Sequence, residues 1–446
     1  MRRQLQTIVL CLSTIISARA QSGYGKIDTL LNAYASVHKF NGTALVTQDH
    51  KTVYEKSFGY QDAVTKKLNT SNSIYPVGSL TKPFTALVIL KLVEENKLSL
   101  TDPVSKFIPD YPRGSQIQLK HLLTHTAGIY EPLRNPKYLE QVVADHAFKP
   151  AEVMGFFKNE PLDFEPGSKF SYSNSGYDLL GVIIEKVTRL PYSAAVSKYI
   201  FGPLQMKKSG FNFQKLQDDN KVTNYAYLSP TRQAEVKIWN SNLTYSSGAL
   251  YSTAGDLLKF YEGLSSFKIV SEQTLEQATN PLLGHYGYGW FLDVIHGDRV
   301  IDHGGNIPGA TSYFLFSPEH QTCIILLNNI TSTTLEKTGK SMYAALRNKP
   351  YSIPKPQQEI KLGEKALLRY TGFFEVSANY KLEISQEADK LFMRINNGDK
   401  VKLLAESENR FFINDEDMAL EFISKDDKIV QLKIKQGLAT KIADKI

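Results

Sequence analysis

Ser79-Leu80-Thr81-Lys82 directly follows Gly78 and opens a long apolar run, Pro83 to Glu95, whose apolar residues recur at helical spacing before the polar pair Asn96-Lys97. That periodicity predicts a helix with Ser79 and Lys82 on one face of its first turn. A serine hydroxyl is a poor nucleophile unless a base lies within hydrogen-bond reach, and a lysine one turn later can supply one. The free N–H groups and positive dipole end of a helix start also favour a developing oxyanion. Ser79 is therefore the candidate nucleophile. The spacing alone is not decisive, because Ser265-Ser266-Phe267-Lys268 repeats it with no other catalytic cue.

Two later segments supply partners. Tyr172-Ser173-Asn174 stands just before the amphipathic run Asp178 to Val187. A tyrosine beside a lysine can be held as phenolate or can shuttle a proton, since the positive charge lowers its pKa. Asn174 can fix the lysine ammonium or a substrate carbonyl. The second segment is His303-Gly304-Gly305-Asn306, followed by Ile307-Pro308-Gly309-Ala310 and the strand-like Thr311 to Phe316. Its glycines would let a substrate backbone lie close alongside.

Taken in order, these motifs resemble Ser-x-x-Lys, Tyr-x-Asn and His-x-Gly of the serine β-lactamase and penicillin-binding superfamily, in its class C-like branch of esterases, D-amino-acid peptidases and β-lactamases. Phe40 to Val46, Leu98 to Val104, His121 to Gly128 and Tyr245 to Asp256 also look like landmarks of that family, so the likeness spans most of residues 25 to 345. The resemblance implies an α/β (α+β) catalytic domain with an antiparallel sheet and a helical part, and Ser79 in the cleft between them. It implies that Ser79 attacks an acyl carbonyl while Lys82 and Tyr172 move its proton to the leaving group. Asn174 would orient Lys82 and the substrate, and the backbone N–H groups of Ser79 and Asn306 would form the oxyanion hole. His303, Gly305 and Asn306 would line the substrate. No metal and no other cofactor is implied.

His303 stands where much of the family has lysine. A lysine is a permanent cation suited to a substrate carboxylate, whereas histidine is mostly neutral near pH 7. In this family His-x-Gly is commoner among esterases and peptidases than among potent β-lactamases. Small esters or amides, including cell-wall-derived peptides with D-residues, are therefore the expected substrates, with a β-lactamase or penicillin-binding DD-carboxypeptidase as the alternative. A non-catalytic cell-envelope binding or scaffold protein is the alternative of another class, and the complete set Ser79, Lys82, Tyr172 and Asn174 argues against it.

Other motifs read as structural. Lys337-Thr338-Gly339 matches the family's third motif literally but leads into a helix-like run, Lys340 to Leu346. His121 and His125 lie four apart without a third metal ligand. Asp302 beside His303 suggests a Ser-His-Asp triad, yet adjacent residues rarely orient one another, and no Gly-x-Ser-x-Gly surrounds Ser79.

The N-terminus reads as a cleavable leader over residues 1–20, with Arg2 and Arg3, an apolar core from Ile8 to Ile16, and Ala18-Arg19-Ala20 as a small-x-small site. The core is too short to span a bilayer, so the processed chain is expected in the periplasm or secreted, with no transmembrane segment. Removing the leader takes Cys11 and leaves Cys323 as the single cysteine, in a strand-like apolar setting that predicts a buried, inert thiol. The formal charge of +7 falls to +4, because residues 1–20 hold three arginines and no acid. No basic cluster with interleaved aromatics points to nucleic acid.

Near residue 349 the pattern changes. Lys349 to Gln358 is rich in proline and reads as an extended linker, taken as residues 349–364, that ends the catalytic domain of residues 21–348. Beyond it, residues 365–446 carry short β-rich runs at Tyr380–Ile384, Leu391–Ile395, Val401–Leu404, Arg410–Ile413, Leu420–Ile423 and Val430–Ile434. Their rhythm predicts an antiparallel meander or small barrel. With Tyr370-Thr371-Gly372-Phe373-Phe374 at its start, this tail resembles the lipocalin-like domain that follows some class C-like serine hydrolases. It would act either as a cap over Ser79 or as a structural appendage.

Overall fold

The computed structural model describes residues 23–446 except 145, 231, 333, 356, 378–379, 397, 399, 414–417 and 437–438. The leader expected over residues 1–20 lies outside them. Strands β1 (Gly42–Gln48), β2 (Lys51–Ser57), β3 (Phe291–Ile295), β4 (Asp298–Ile307), β5 (Ala310–Ser317) and β6 (Thr322–Asn328) form one sheet in the order β2-β1-β6-β5-β4-β3. All its pairings are antiparallel.

Every residue of β5 and β6 is buried, as their near-continuous apolar sequence requires of strands covered on both faces. Successive side chains alternate. Phe314, Phe316, Ile325 and Leu327 therefore face the helical part. Tyr313, Leu315, Ile324 and Leu326 face the back, against Ile27 and Leu30 of α1 (residues 23–36) and Met342 and Tyr343 of the helix that follows β6.

On the helical side, α2 (Thr81–Glu94) is the central helix, with every residue from Thr81 to Leu90 buried. A helix apolar all round has no solvent face to present. Packed on it are α3 (Asn174–Thr188) and α4 (Ser241–Gly248). The back of the sheet is closed by α5 (Leu335–Leu346). Lys337-Thr338-Gly339 falls inside α5, where Gly339 lies so near the Tyr313 ring that a Cβ there would come within 2.3 Å of it. This segment is a helix–sheet packing contact on the face away from Ser79.

Among the described residues of 349–363 there is neither helix nor strand. Then β7 (Gly372–Ser377), β8 (Tyr380–Glu387), β9 (Lys390–Ile395), β10 (Val401–Ala405), β11 (Arg410–Phe412), β12 (Met418–Lys425), β13 (Lys428–Gln436) and β14 (Ala439–Lys445) form a closed barrel in sequential order. Phe374 pairs with Lys445 and Glu375 with Asp444 to close it, which removes both sheet edges. Its interior is apolar, including Phe374, Leu382, Leu420, Phe422 and Leu432. No helix among the described residues is long and apolar enough to cross a membrane.

Candidate active site

A tight turn precedes α2. Gly78 has φ +54, a left-handed conformation that favours glycine, and a Cβ there would stand 3.0 Å from the Asn306 nitrogen. On the facing strand a Cβ at Gly305 would lie 1.8 Å from the Val77 carbonyl oxygen. The glycine expected to admit a substrate backbone thus first admits the chain's own turn. Ser312 Oγ, on β5 opposite Gly305, donates to the same Val77 oxygen at 2.7 Å, which fixes the turn against the sheet where β4 and β5 pair. In the stretch 73–90 every residue is buried except Ser79.

Lys82 is fully buried, and its Nζ meets three acceptors: Ser79 Oγ at 3.1 Å, Asn174 Oδ1 at 2.8 Å and the Ser247 carbonyl at 2.9 Å. Burial pulls its pKa down to about 7, against the nearby carboxylates of Asp178 and Glu131, which raise it. Near neutral pH the amine can therefore lose its proton. Two N–H groups then stay on Asn174 and Ser247, and the lone pair faces Ser79 Oγ.

The Ser247 carbonyl is delivered by a kink in α4. Tyr245 has φ 32 and ψ −125, a sparsely populated conformation that costs about 1–3 kcal/mol and persists only where the surroundings enforce it. They do so here: Thr85 Oγ1 donates to the Ser246 carbonyl at 2.7 Å, one residue before the lysine contact.

Tyr172 brings its phenol against the Ser79 hydroxyl and its ring within 4.8 Å of Lys82 Nζ, measured to the centroid. The residue is part-exposed but its hydroxyl is enclosed. Burial pushes the phenol's pKa up, and the Ser79 contact only partly offsets this. The sequence leaves two roles open, a phenolate lowered by its lysine or a proton shuttle, and this environment favours the shuttle. Desolvation of the phenolate dominates and the charge of Glu131 adds to it, so Tyr172 stays protonated and Lys82 is the group that can accept.

His303 lies on β4 opposite Phe314, on the face toward the helical part, whereas Asp302 pairs with Leu315 on the back. Adjacent strand residues point to opposite faces, which excludes a Ser-His-Asp triad. His303 Nδ1 donates to the Gly304 carbonyl at 2.6 Å, which leaves Nε2 to accept from Tyr286 Oη at 3.1 Å. Burial, then the charge of Lys82, lower its pKa to about 3. The imidazole is neutral with both nitrogens engaged.

Ser79, Tyr172, Phe291, His303, Gly305 and Asn306 line part of a cavity of about 690 Å³ whose wall also includes Asp302, Tyr313 and Lys340. Sequence reasoning missed Phe291 in this wall and the rings packed on Tyr172 and His303. His125 packs its ring on Tyr172 at 4.1 Å between centroids, and its Nδ1 accepts the Ser173 N–H at 3.2 Å. Tyr286 and Phe291 pack against His303. Of the decoys, Ser265 ends the helix Ala254–Ser265 and Lys268 is exposed beyond it. Cys323 is buried on β6 with its thiol pKa raised by burial.

Comparison with known proteins agrees with this geometry. The chain is 28% identical over 428 residues, covering 89% of itself and 93% of the relative, to Penicillin-binding protein 4* of Bacillus subtilis (strain 168). Among solved structures it is similar to the octameric penicillin-binding protein homologue from Pyrococcus abyssi, with a TM-score of 0.64, 27% identity, and 94% and 99% of the two chains covered. It is also similar to a D-stereospecific amidohydrolase from Streptomyces sp., with a TM-score of 0.61, 25% identity, and 69% and 94% covered. Residues 356–444 match a family described as a domain of unknown function (DUF3471). The Beta-lactamase family model matches residues 27–349, and the chain belongs to that family as a serine hydrolase.

Proposed function

We propose that this protein is an exported hydrolase that cleaves small esters or amides, D-aminoacyl peptides of the cell wall among them, through an acyl-Ser79 intermediate. The observation that carries the reading is Lys82 Nζ, held between Ser79 Oγ, Asn174 Oδ1 and the Ser247 carbonyl at a pKa near neutrality. Neutral Lys82 takes the proton as Ser79 Oγ bonds to the acyl carbon. The tetrahedral oxyanion sits toward the backbone N–H groups of Ser79 and Asn306, each such donor contributing about 3 kcal/mol. Tyr172, still a phenol, donates to the leaving group and regains a proton through Lys82. Water then repeats the sequence to release the acid.

Replacing Tyr172 by phenylalanine is expected to lower kcat about 100- to 10,000-fold by removing that relay. An initial-rate assay on a p-nitrophenyl ester checks it, and a fully active variant would remove Tyr172 from the mechanism.

Substrate class follows from His303. With a neutral ring and both nitrogens bonded within the protein, it offers a substrate carboxylate no charged donor, an interaction that contributes about 1.5–3 kcal/mol where present. Short-chain p-nitrophenyl esters and D-amino-acid amides are therefore expected to exceed a chromogenic cephalosporin in kcat/KM by about 10- to 100-fold. Efficient cephalosporin hydrolysis with negligible ester and amide turnover would favour the β-lactamase or penicillin-binding reading, to which the relatives' names point. The export route rests on the leader read over residues 1–20.

A further inference from the structure

Helix α3 starts at Asn174, and the N–H groups of a first helical turn have no acceptor within the helix. Ser173, at the capping position, makes no side-chain hydrogen bond to them. The acceptor comes from a distant loop. Glu131 Oε2 takes the Asn174 N–H at 2.6 Å, and Oε1 takes Asn174 Nδ2 at 2.9 Å. One carboxylate thus grips the main chain and the side chain of the same residue.

This grip has a chemical consequence. Both Glu131 oxygens already act as acceptors of main-chain N–H groups, from Asn174 and Leu133, so the amide of Asn174 turns Nδ2 toward Glu131 and Oδ1 toward Lys82 Nζ, at 2.8 Å. The flipped amide would set its oxygen against the carboxylate and its NH2 against the N–H groups of Lys82, both repulsive. We propose that Glu131 is a positioning residue, which selects the Asn174 orientation that holds Lys82 on Ser79.

Glu131 is itself held in place. It precedes Pro132, which disfavours helical backbone at position 131, and it has φ −80 and ψ 119. Its Oε1 also caps the short turn Pro132–Arg134 by accepting the Leu133 N–H at 3.3 Å. A glutamine here could accept with one oxygen only and would turn an NH2 toward the second donor, so the clamp depends on a carboxylate.

The inference rests on acyl transfer at Ser79, whichever ester or amide is the natural substrate. Its test is a double-mutant cycle of Glu131→Gln and Asn174→Ala, read as the rate of fluorophosphonate labelling of Ser79 and as kcat and KM on a p-nitrophenyl ester. Glu131→Gln is expected to lower kcat and the labelling rate about 10- to 100-fold with KM nearly unchanged, the pattern of a lost transition-state contribution. In the Asn174→Ala background the same change is expected to cost no more than about twofold, because the residue it positions is gone. Labelling of Glu131→Gln at the wild-type rate, or independent losses that multiply in the double variant, would overturn the proposal. If Glu131→Gln does not fold, Glu131→Asp is read in its place, since it keeps the charge but is too short to reach both donors. Absence of label on the wild-type protein would overturn the acyl-enzyme reading and this inference together, whereas equal labelling of wild type and variant overturns this inference alone.

Discussion

Ser79→Ala is expected to abolish turnover and covalent labelling while leaving the protein folded. Loss of a nucleophile that acts as a unit with its base costs roughly a million-fold in kcat in well-studied serine hydrolases, and residual catalysis comes from the oxyanion hole and binding alone. The fold should tolerate the change because Ser79 is the one residue of 73–90 that is not buried, so its hydroxyl contributes to the site and little to packing. Lys82 keeps Asn174 Oδ1 and the Ser247 carbonyl as acceptors. Ser265→Ala, at the end of its helix with its hydroxyl donating to the Glu262 carbonyl, is the matched control and is expected to change nothing. Mass mapping of a fluorophosphonate adduct, with thermal melting of both variants, checks the pair. Label on Ser265, or near-full activity in Ser79→Ala, would place the chemistry elsewhere.

The two motifs on helix starts were legible in the sequence because acyl transfer dictates residue type at fixed spacing. Lys82 follows Ser79 by one turn, and Asn174 begins a helix two residues after Tyr172. His303 was legible as a partner, but its role depended on strand alternation, which sets Asp302 on the opposite face. The barrel showed six of its strands through β-rich runs. The closing pair did not register: Ala439-Thr-Lys-Ile-Ala-Asp-Lys lacks a β-rich composition and is held by its register with Lys428–Gln436 and with β7. Tertiary pairing overrode local propensity there.

What escaped the sequence reading acts through backbone atoms or ring stacking across long separations. The Ser247 carbonyl has no side-chain signature, and its delivery depends on the strained Tyr245. His125, read as structural, packs directly on Tyr172. Glu131 left one trace, a carboxylate set before Pro132 and three residues after Gly128 in the His121–Gly128 landmark. The sequence left Tyr172 open between phenolate and proton shuttle for a physical reason, since spacing shows the neighbouring lysine and does not show how deeply the phenol is buried.

Lys82→Met should lose about 100- to 10,000-fold in kcat/KM, the usual contribution of a general base, and should change the pH profile as well. In the wild type the competent lysine is the neutral one, and burial holds its pKa at about 7. Below that pH Lys82 is an ammonium that can donate to Ser79 but not deprotonate it. Activity therefore rises as pH increases through about 7 and levels off above it. Methionine keeps a stem of similar length but cannot take a proton, so the variant should lose the rising limb along with the rate. A second group titrates in the same range: burial raises Asp302 to about 7. Asp302 lies on the back of the sheet with Leu315 and makes no hydrogen bond to Ser79 or Lys82 among those described, so Asp302→Asn should keep the limb where Lys82→Met removes it. Measurement of kcat/KM from pH 5 to 9 on one ester, for wild type and both variants, separates the two. A limb that survives in Lys82→Met and vanishes in Asp302→Asn would assign the base to the wrong face of the sheet and overturn the mechanism.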